Sequence, residues 1–280
     1  MRIWVNGALR DPADASVPVL DRGFTVGDGV FETVKVVSGR PFALERHLDR
    51  LERSARILGL PRPDRDLVRT ACAAVLAEGE LPLGRLRITC TSGPAPLGPT
   101  RATGPTGPGQ DGTTLIVAVG ATDPSPPVTA VITVPWTRNQ HSAVAGAKTT
   151  SYAENLVALA RAHDYGAGEA ILGNTDGRLC EGTGSNVFVV LGGRLLTPPL
   201  TSGCLPGITR ALALQWSDAE EAELPLSVLQ DADEILLTGS LRDIQAVSRV
   251  DDRELPGAPG PVTAALAARF AERAAADLEP

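Results

Sequence analysis

Lysine is nearly missing from this chain. Of the 26 basic residues in 280, all but Lys35 and Lys148 are arginine. Arginine serves well as a permanently charged surface cation, whereas lysine can be neutralised by burial and then act as base, nucleophile or Schiff-base former. Each surviving lysine is therefore either a leftover surface charge or a chemical group. Long apolar runs are missing too, which argues against a membrane span. Cys72, Cys90, Cys180 and Cys204 are far apart, lack CxxC spacing and follow no signal peptide, so reduced thiols in a cytoplasmic protein are expected. His47, His141 and His163 are not spaced as metal ligands, and no metal is expected. A formal charge of -7 argues against a general surface for nucleic acid or anionic membrane. Arg46, Arg50, Arg53 and Arg56 are offset by Glu45, Asp49 and Glu52 and read mostly as a solvated helix face. The sequence "AGAKTT" invites a phosphate-binding loop, but Ala147 stands immediately before the lysine, where that motif needs a glycine. No GxGxxG fingerprint follows a strand.

What is present reads as a globular α+β chain with enough apolar residues, 43%, for a sizeable core. "MRIWVNGALR" turns at Asn6-Gly7, and "VFETVKVVSGRPFALE" alternates before turning at Ser38-Gly39, so both predict hairpins. Leu44, Leu48, Leu51, Ala55 and Leu58 keep helical spacing, as do Leu67, Val68, Ala71, Cys72 and Val75 behind Asp64. Two further strands flank a Gly/Pro-rich stretch, Gly93 to Gly112, whose composition predicts a mobile loop and, functionally, a substrate lid. "ATDPSPP", Ala121 to Pro127, marks a link, which predicts a smaller domain over 1–120 and a larger one over 121–280. The second half alternates strands and turns, with a helix after Lys148, one opening at "PGITRALALQW" and one near the C-terminus.

Four local patterns carry chemistry. Lys148 sits among alanine, glycine and small hydroxyl residues in "VAGAKTTSYAENL". Glu181 ends a strand-like stretch in "CEGTGSNVFVV"; it is either an edge carboxylate facing water or a buried acid that needs a cation. Gly207, Ile208 and Thr209 open a helix, where free N–H groups and the dipole favour an anion such as phosphate, unless they form an ordinary cap behind Pro206. Thr238 and Ser240, at a strand end, suit a second set of phosphate contacts. A neutralisable lysine, a carboxylate and a phosphate cradle together are what pyridoxal 5'-phosphate requires.

Over nearly its whole length the chain resembles the fold-type IV pyridoxal-phosphate enzymes, which include branched-chain and D-amino-acid aminotransferases and aminodeoxychorismate lyase. The resemblance begins with "DRGFTVGDGVFETVKVVSGRPFALERHLDRLERSA", continues through "AGAKTTSYAEN", "EGTGSNVF" and "LPGITR", and ends at "DEILLTGSLRDIQAV". It implies two domains with the cofactor in the cleft between them, and a homodimer. It matches Lys148 to the Schiff-base lysine and Glu181 to the partner of the pyridine nitrogen. Arg50, Ile208, Thr209 and Ser240 match the phosphate contacts. Tyr152 lies near a side chain that rests against the cofactor, one residue off the branched-chain tyrosine.

Departures bear on the substrate, a small-molecule amine. D-amino-acid aminotransferases carry tyrosine where this chain has Phe31, and arginine where it has Ser92. In "VFETVKV" the strand period puts Phe31, Thr33 and Lys35 on one face, which the resemblance turns toward the substrate. Lys35, or else Arg87, would then receive a carboxylate. Asn139 and the "AGAK" context are similar to the lyase branch, so the resemblance implies first a 4-amino-4-deoxychorismate lyase that releases pyruvate and 4-aminobenzoate, and second an aminotransferase. A binding protein without cofactor on the same scaffold is disfavoured, because packing needs neither Lys148 nor Glu181.

Overall fold

The computed structural model describes residues 1–77, 81–98, 100–101 and 112–280. Most of the Gly93–Gly112 stretch expected as a lid therefore lies outside the described residues. The chain divides into two compact units, one comprising Met1–Asp123, Ala147–Ser151 and Leu278–Pro280, the other Pro124–Gly146 and Tyr152–Asp277. The mixture of grouped strands and helices is the expected α+β class.

The first unit contains β1 (Arg2–Val5), β2 (Ala8–Arg10), α1 (Arg22–Thr25), β3 (Gly29–Val37), β4 (Arg40–Pro41), α2 (Leu44–Leu58), α3 (Arg65–Leu76), β5 (Leu83–Thr91) and β6 (Thr114–Ala121). Its antiparallel sheet runs β2-β1-β6-β5-β3-β4. Both hairpin turns place two residues at positive φ, Asn6 (46°) with Gly7 (101°) and Ser38 (49°) with Gly39 (74°), matching the right-handed twist of the strands. Alternation then decides burial. Val30, Val34 and Val36 join Leu86, Ile88, Val117 and Val119 against Leu48, Leu51 and Ala55 of α2 and Val68, Ala71 and Val75 of α3. Phe31, Thr33 and Lys35 take the opposite face.

One residue on the core side of β3 is charged. Glu32 is fully buried, and Arg50 reaches it from α2 with both arms, Nε to Oε1 at 2.8 Å and Nη2 to Oε2 at 2.6 Å. His47 Nδ1 lies 2.6 Å from Oε2. Arg50 therefore departs from the solvated arginine face expected of this helix: spacings of three and four put His47, Arg50 and Ser54 on its buried stripe. Helix α2 also starts without a side-chain cap of its own, at Ala43 with φ 55°. Its first N–H groups, Leu44 and Glu45, donate instead to the Glu279 carboxylate at 2.9 and 3.2 Å, a distant cap that no local signal announces.

The second unit contains β7 (Val128–Arg138), α4 (Ala153–Asp164), β8 (Glu169–Asn174), β9 (Leu179–Gly182), β10 (Asn186–Leu191), β11 (Arg194–Thr197), α5 (Ile208–Gln215), β12 (Glu220–Glu221), β13 (Glu234–Gly239), β14 (Asp243–Val250), β15 (Arg253–Glu254) and α6 (Pro261–Ala276). The sheet order is β12-β11-β10-β13-β14-β7-β8-β9, with β15 on β14. Helix α4 is the crossover between parallel β7 and β8, and its Ala158 and Ala162 cover Ile132, Val134, Ala170 and Leu172. Val131, Ile171, Val187, Val189, Ile235 and Leu237 pack on the other side with Leu229. Both faces of the sheet are covered at β8, so this strand is buried at every position rather than alternating. No helix among the described residues is long and apolar enough to cross a membrane.

The Glu32 cluster sets the acid limb of stability. Burial pushes this carboxyl up, but Arg50 and His47 overcome that and hold it at about 2, below the ordinary 4.5. A depressed carboxyl stabilises the fold above its unfolded value and loses that contribution as pH falls through its folded value, here between about pH 4.5 and 2. Glu32→Gln should lower unfolding free energy at pH 7 by about 3–5 kcal/mol, because Arg50 stays buried without its counter-charge. The variant should also lose much of this acid dependence. Urea unfolding at pH 7 and pH 3 checks both; equal losses at the two pH values would contradict the assignment.

Candidate active site

Lys148 is carried by a segment added to the free part of a sheet edge. Strand β4 covers β3 only near Val36 and Val37, and alongside the start of β3 its place is taken by Lys148–Thr150. Phe31 N donates to Lys148 O at 3.0 Å, and Thr150 N to Gly29 O at 2.8 Å. Lys148 N donates to Ser54 Oγ at 3.0 Å, so the buried stripe of α2 that carries Arg50 also anchors the lysine backbone, one helical turn further on. Gly29 permits the close packing here: a Cβ would lie 3.1 Å from Thr150 Oγ1 on one side and 2.9 Å from Cys90 O on the other.

The Lys148 side chain is half-buried, with Nζ 4.4 Å from the centroid of the Phe31 ring. The Arg87 guanidinium carbon lies 3.3 Å from the same centroid, and Arg87 Nη1 donates to Thr33 Oγ1 at 3.5 Å. Strand register explains the gathering: β3 pairs Thr33 with Arg87 and Lys35 with Arg85, so these side chains leave the sheet on the face of Phe31. An aromatic face attracts cations, and this one serves two. Lys148, Phe31, Thr33 and Arg87 are thus brought together, with Lys35 further along the same face.

Ser92 is used differently from the arginine it replaces. Its hydroxyl donates to Asp28 Oδ2 at 2.7 Å, and the same carboxylate receives Arg22 Nε at 3.1 Å and Arg101 Nη2 at 2.6 Å. Burial pushes the Asp28 carboxyl up, but Arg101, Ser92 and Arg22 hold it at about 2. Arg101 also donates to the Leu58 and Gly59 carbonyls, tying its segment to the end of α2.

In the second unit Glu181 lies on the last strand of the sheet, yet it is only 7% exposed. The buried alternative applies, and the cation it needs is Arg138, whose Nε sits 3.0 Å from Oε1. Leu205 N donates to the other oxygen at 2.8 Å, linking Glu181 to the loop that enters α5. Asn186 Nδ2 donates to Leu205 O at 2.8 Å, and only glycine fits next: a Cβ on Gly207 would lie 2.0 Å from Asn186 Oδ1. Ile208 and Thr209 follow, both buried, as the first residues of α5. Tyr152 precedes α4, and its hydroxyl donates to Thr183 O at 3.0 Å, beside the exit of Glu181's strand. Ser240 lies in the turn closed by Arg242 N and Gly239 O.

These residues fit pyridoxal 5'-phosphate. Thr238 Oγ1, at the end of β13 against which α5 packs, is buried without a hydrogen-bond partner, as a hydroxyl kept for an acceptor would be. The start of α5 adds N–H groups that no helical turn satisfies. Sequence reasoning missed Glu32, Ser54 and Arg138. Glu32 had a signal, as the one charge in the inward register of β3; Ser54 had one, four residues from Arg50; Arg138 had none, because only the paths of β7 and β9 bring it to Glu181.

Comparison with known proteins agrees. The family model described as amino-transferase class IV matches residues 29–250. A protein of Methanocaldococcus jannaschii, named as a candidate branched-chain-amino-acid aminotransferase, is 32% identical over 96% of this chain and 95% of its own. The fold IV-transaminase CpuTA1 of Curtobacterium pusillum superimposes with a TM-score of 0.83 at 31% identity, over 96% of this chain and 92% of its own. A candidate 4-amino-4-deoxychorismate lyase of Legionella pneumophila gives 0.84 at 27% identity, over 94% and 97%. Near full-length matches of this kind admit one conclusion: the chain belongs to the class IV aminotransferases, the pyridoxal-phosphate enzymes of fold type IV.

Proposed function

We propose that the protein is an aminotransferase that moves an amino group between an amino acid and a 2-oxo acid. The observation that carries this reading is the shared Phe31 ring, which has a guanidinium, Arg87, 3.3 Å from its centroid and an amine, Lys148 Nζ, 4.4 Å from it. An α-amino acid presents its reacting carbon next to its carboxylate, so a base and a carboxylate-binding cation gathered on one ring match it. The lyase reading drawn from sequence thereby becomes the second one. It is supported by the likeness to the Legionella protein and by Lys35 on the same face, a second cation for a dicarboxylic substrate.

Pyridoxal phosphate, when bound, supplies an aldehyde for the substrate amine and a ring that withdraws electrons. Lys148 Nζ removes the proton from the substrate carbon that bears the amine, and in a transaminase holds it for return. Arg87 fixes the carboxylate, with Phe31 and Thr33 shaping that wall. Glu181, steadied by Arg138 and Leu205 N, would partner the ring nitrogen. Arg50, Ile208, Thr209 and Ser240 would hold the phosphate, and Tyr152 would rest against the ring. Val19, Phe24 and Leu97 are 72, 73 and 80% exposed, apolar side chains that a second copy would cover in a cytoplasmic homodimer.

Lys148→Ala and Lys148→Arg should both be inactive, since a guanidinium cannot replace the amine. Borohydride reduction followed by peptide mapping should place the cofactor on Lys148; an adduct on Lys35 would overturn the assignment. Glu181→Gln should keep the cofactor and lose most of kcat, whereas Arg50→Ala should raise the cofactor Kd roughly tenfold to hundredfold.

Substrate assays decide the class. Purified protein given amino acids with 2-oxo acids should transaminate, and Arg87→Met should raise KM for amino acids roughly tenfold or more while sparing amines that lack a carboxylate. Pyruvate and 4-aminobenzoate from aminodeoxychorismate, without transamination, would establish the lyase instead. In that case Lys35→Met should raise KM for the dicarboxylate in a folded, cofactor-loaded variant.

A further inference from the structure

A second carboxylate beneath the proposed cradle has no part in the chemistry above. Glu169, the first residue of β8, is completely buried. Its Oε1 receives Ala170 N at 3.1 Å, Thr183 N at 3.0 Å and the Thr183 hydroxyl. Its Oε2 receives Gly184 N at 3.3 Å and Ser185 Oγ at 3.0 Å, and pairs with Arg242 Nη2 at 3.2 Å. Six donors thus converge on its two oxygens. The bend from Gly182 to Ser185 is wrapped around it: a Cβ on Gly182 would lie 2.4 Å from Ser185 Oγ and 3.1 Å from Glu169 Cδ, so glycine is needed for the approach.

The two loops that Glu169 holds are those that carry proposed cofactor contacts. Thr183 is two residues beyond Glu181, and its carbonyl accepts from Tyr152 Oη at 3.0 Å and Asn155 Nδ2 at 2.5 Å. Arg242 closes the turn that contains Ser240, and is steadied by Gln245 Oε1 at 2.6 Å and Gly168 O at 3.2 Å. The loops also touch, since a Cβ on Gly239 would meet Gly184 O at 3.4 Å. We propose that Glu169 is a positioning residue: one buried carboxylate that locks the Glu181 loop and the Ser240 turn together and so presets the phosphate contact before cofactor arrives. This rests on the reading of Ser240 as a phosphate contact.

The test compares phosphorylated with unphosphorylated cofactor. Full-length protein freed of cofactor is titrated with pyridoxal 5'-phosphate and with pyridoxal, and melting temperature is measured in parallel. Arg242→Met cuts the link between Glu169 and the turn; it should lose roughly tenfold of the preference for the phosphorylated form, a ratio of two affinities read separately from the fall in melting temperature that unpairing a buried carboxylate brings. Glu169→Gln should lose at least as much, and if it does not fold, Arg242→Met carries the test alone. Ser240→Ala separates the two hypotheses. If Ser240→Ala loses the preference and Arg242→Met keeps it, the positioning role is wrong. If Ser240→Ala keeps it, the phosphate reading itself fails and the positioning role falls with it. Equal weakening of both ligands, in step with melting temperature, would make Glu169 a structural residue only.

Discussion

A carboxylate removed from water must be met by a cation or by several donors, and the first unit is arranged around that demand at Glu32. Meeting it takes Arg50 and His47 from one stripe of α2, which fixes the rotation of that helix against β3. The next polar residue on the stripe, Ser54, then falls where it can anchor the backbone of Lys148. The residue proposed to hold phosphate and the residue proposed to carry the amine are thus placed by one helix, whose orientation a single buried charge specifies.

The same physics recurs in the second unit. Glu181 is met by Arg138 and a backbone N–H, and Glu169 by five donors and Arg242. Satisfied buried carboxylates hold their surroundings stiffly, because displacing any donor strands a charge in a low-dielectric interior. Such stiffness suits loops that must present contacts to a small anionic group, where an error of an ångström costs affinity. Cationic side chains on the Phe31 face are held by a softer device, an aromatic ring and the register of β3 with β5. A softer hold leaves them able to adjust to different substrates.

Much of the fold was legible because its signals are local. Asn6-Gly7 and Ser38-Gly39 demand tight turns, alternation in β3 assigns its faces, and the leucine spacing in α2 and α3 leaves little choice of element. The scarcity of lysine singled out Lys148 and Lys35 before any geometry was known. The burial of Arg50 was not legible: its composition reads as surface, and only the inward register of Glu32 shows otherwise. Nor was the cap of α2, since Glu279 stands 235 residues from Leu44.

By itself the sequence determined the class of the fold, the order of its elements and the residue types that pyridoxal chemistry needs, because propensity, periodicity and motif spacing act over a few residues. Tertiary structure alone decided which charges meet. Arg138 reaches Glu181 and Arg242 reaches Glu169 only because β7, β8, β9 and β14 lie close in one sheet. Lys148 and Arg87 share a ring only because one rides an added edge segment and the other a neighbouring strand. Electrostatic pairing acts through space over a few ångströms, and the chain path that brings such groups together is set by the burial of the whole core, which no short window of sequence contains.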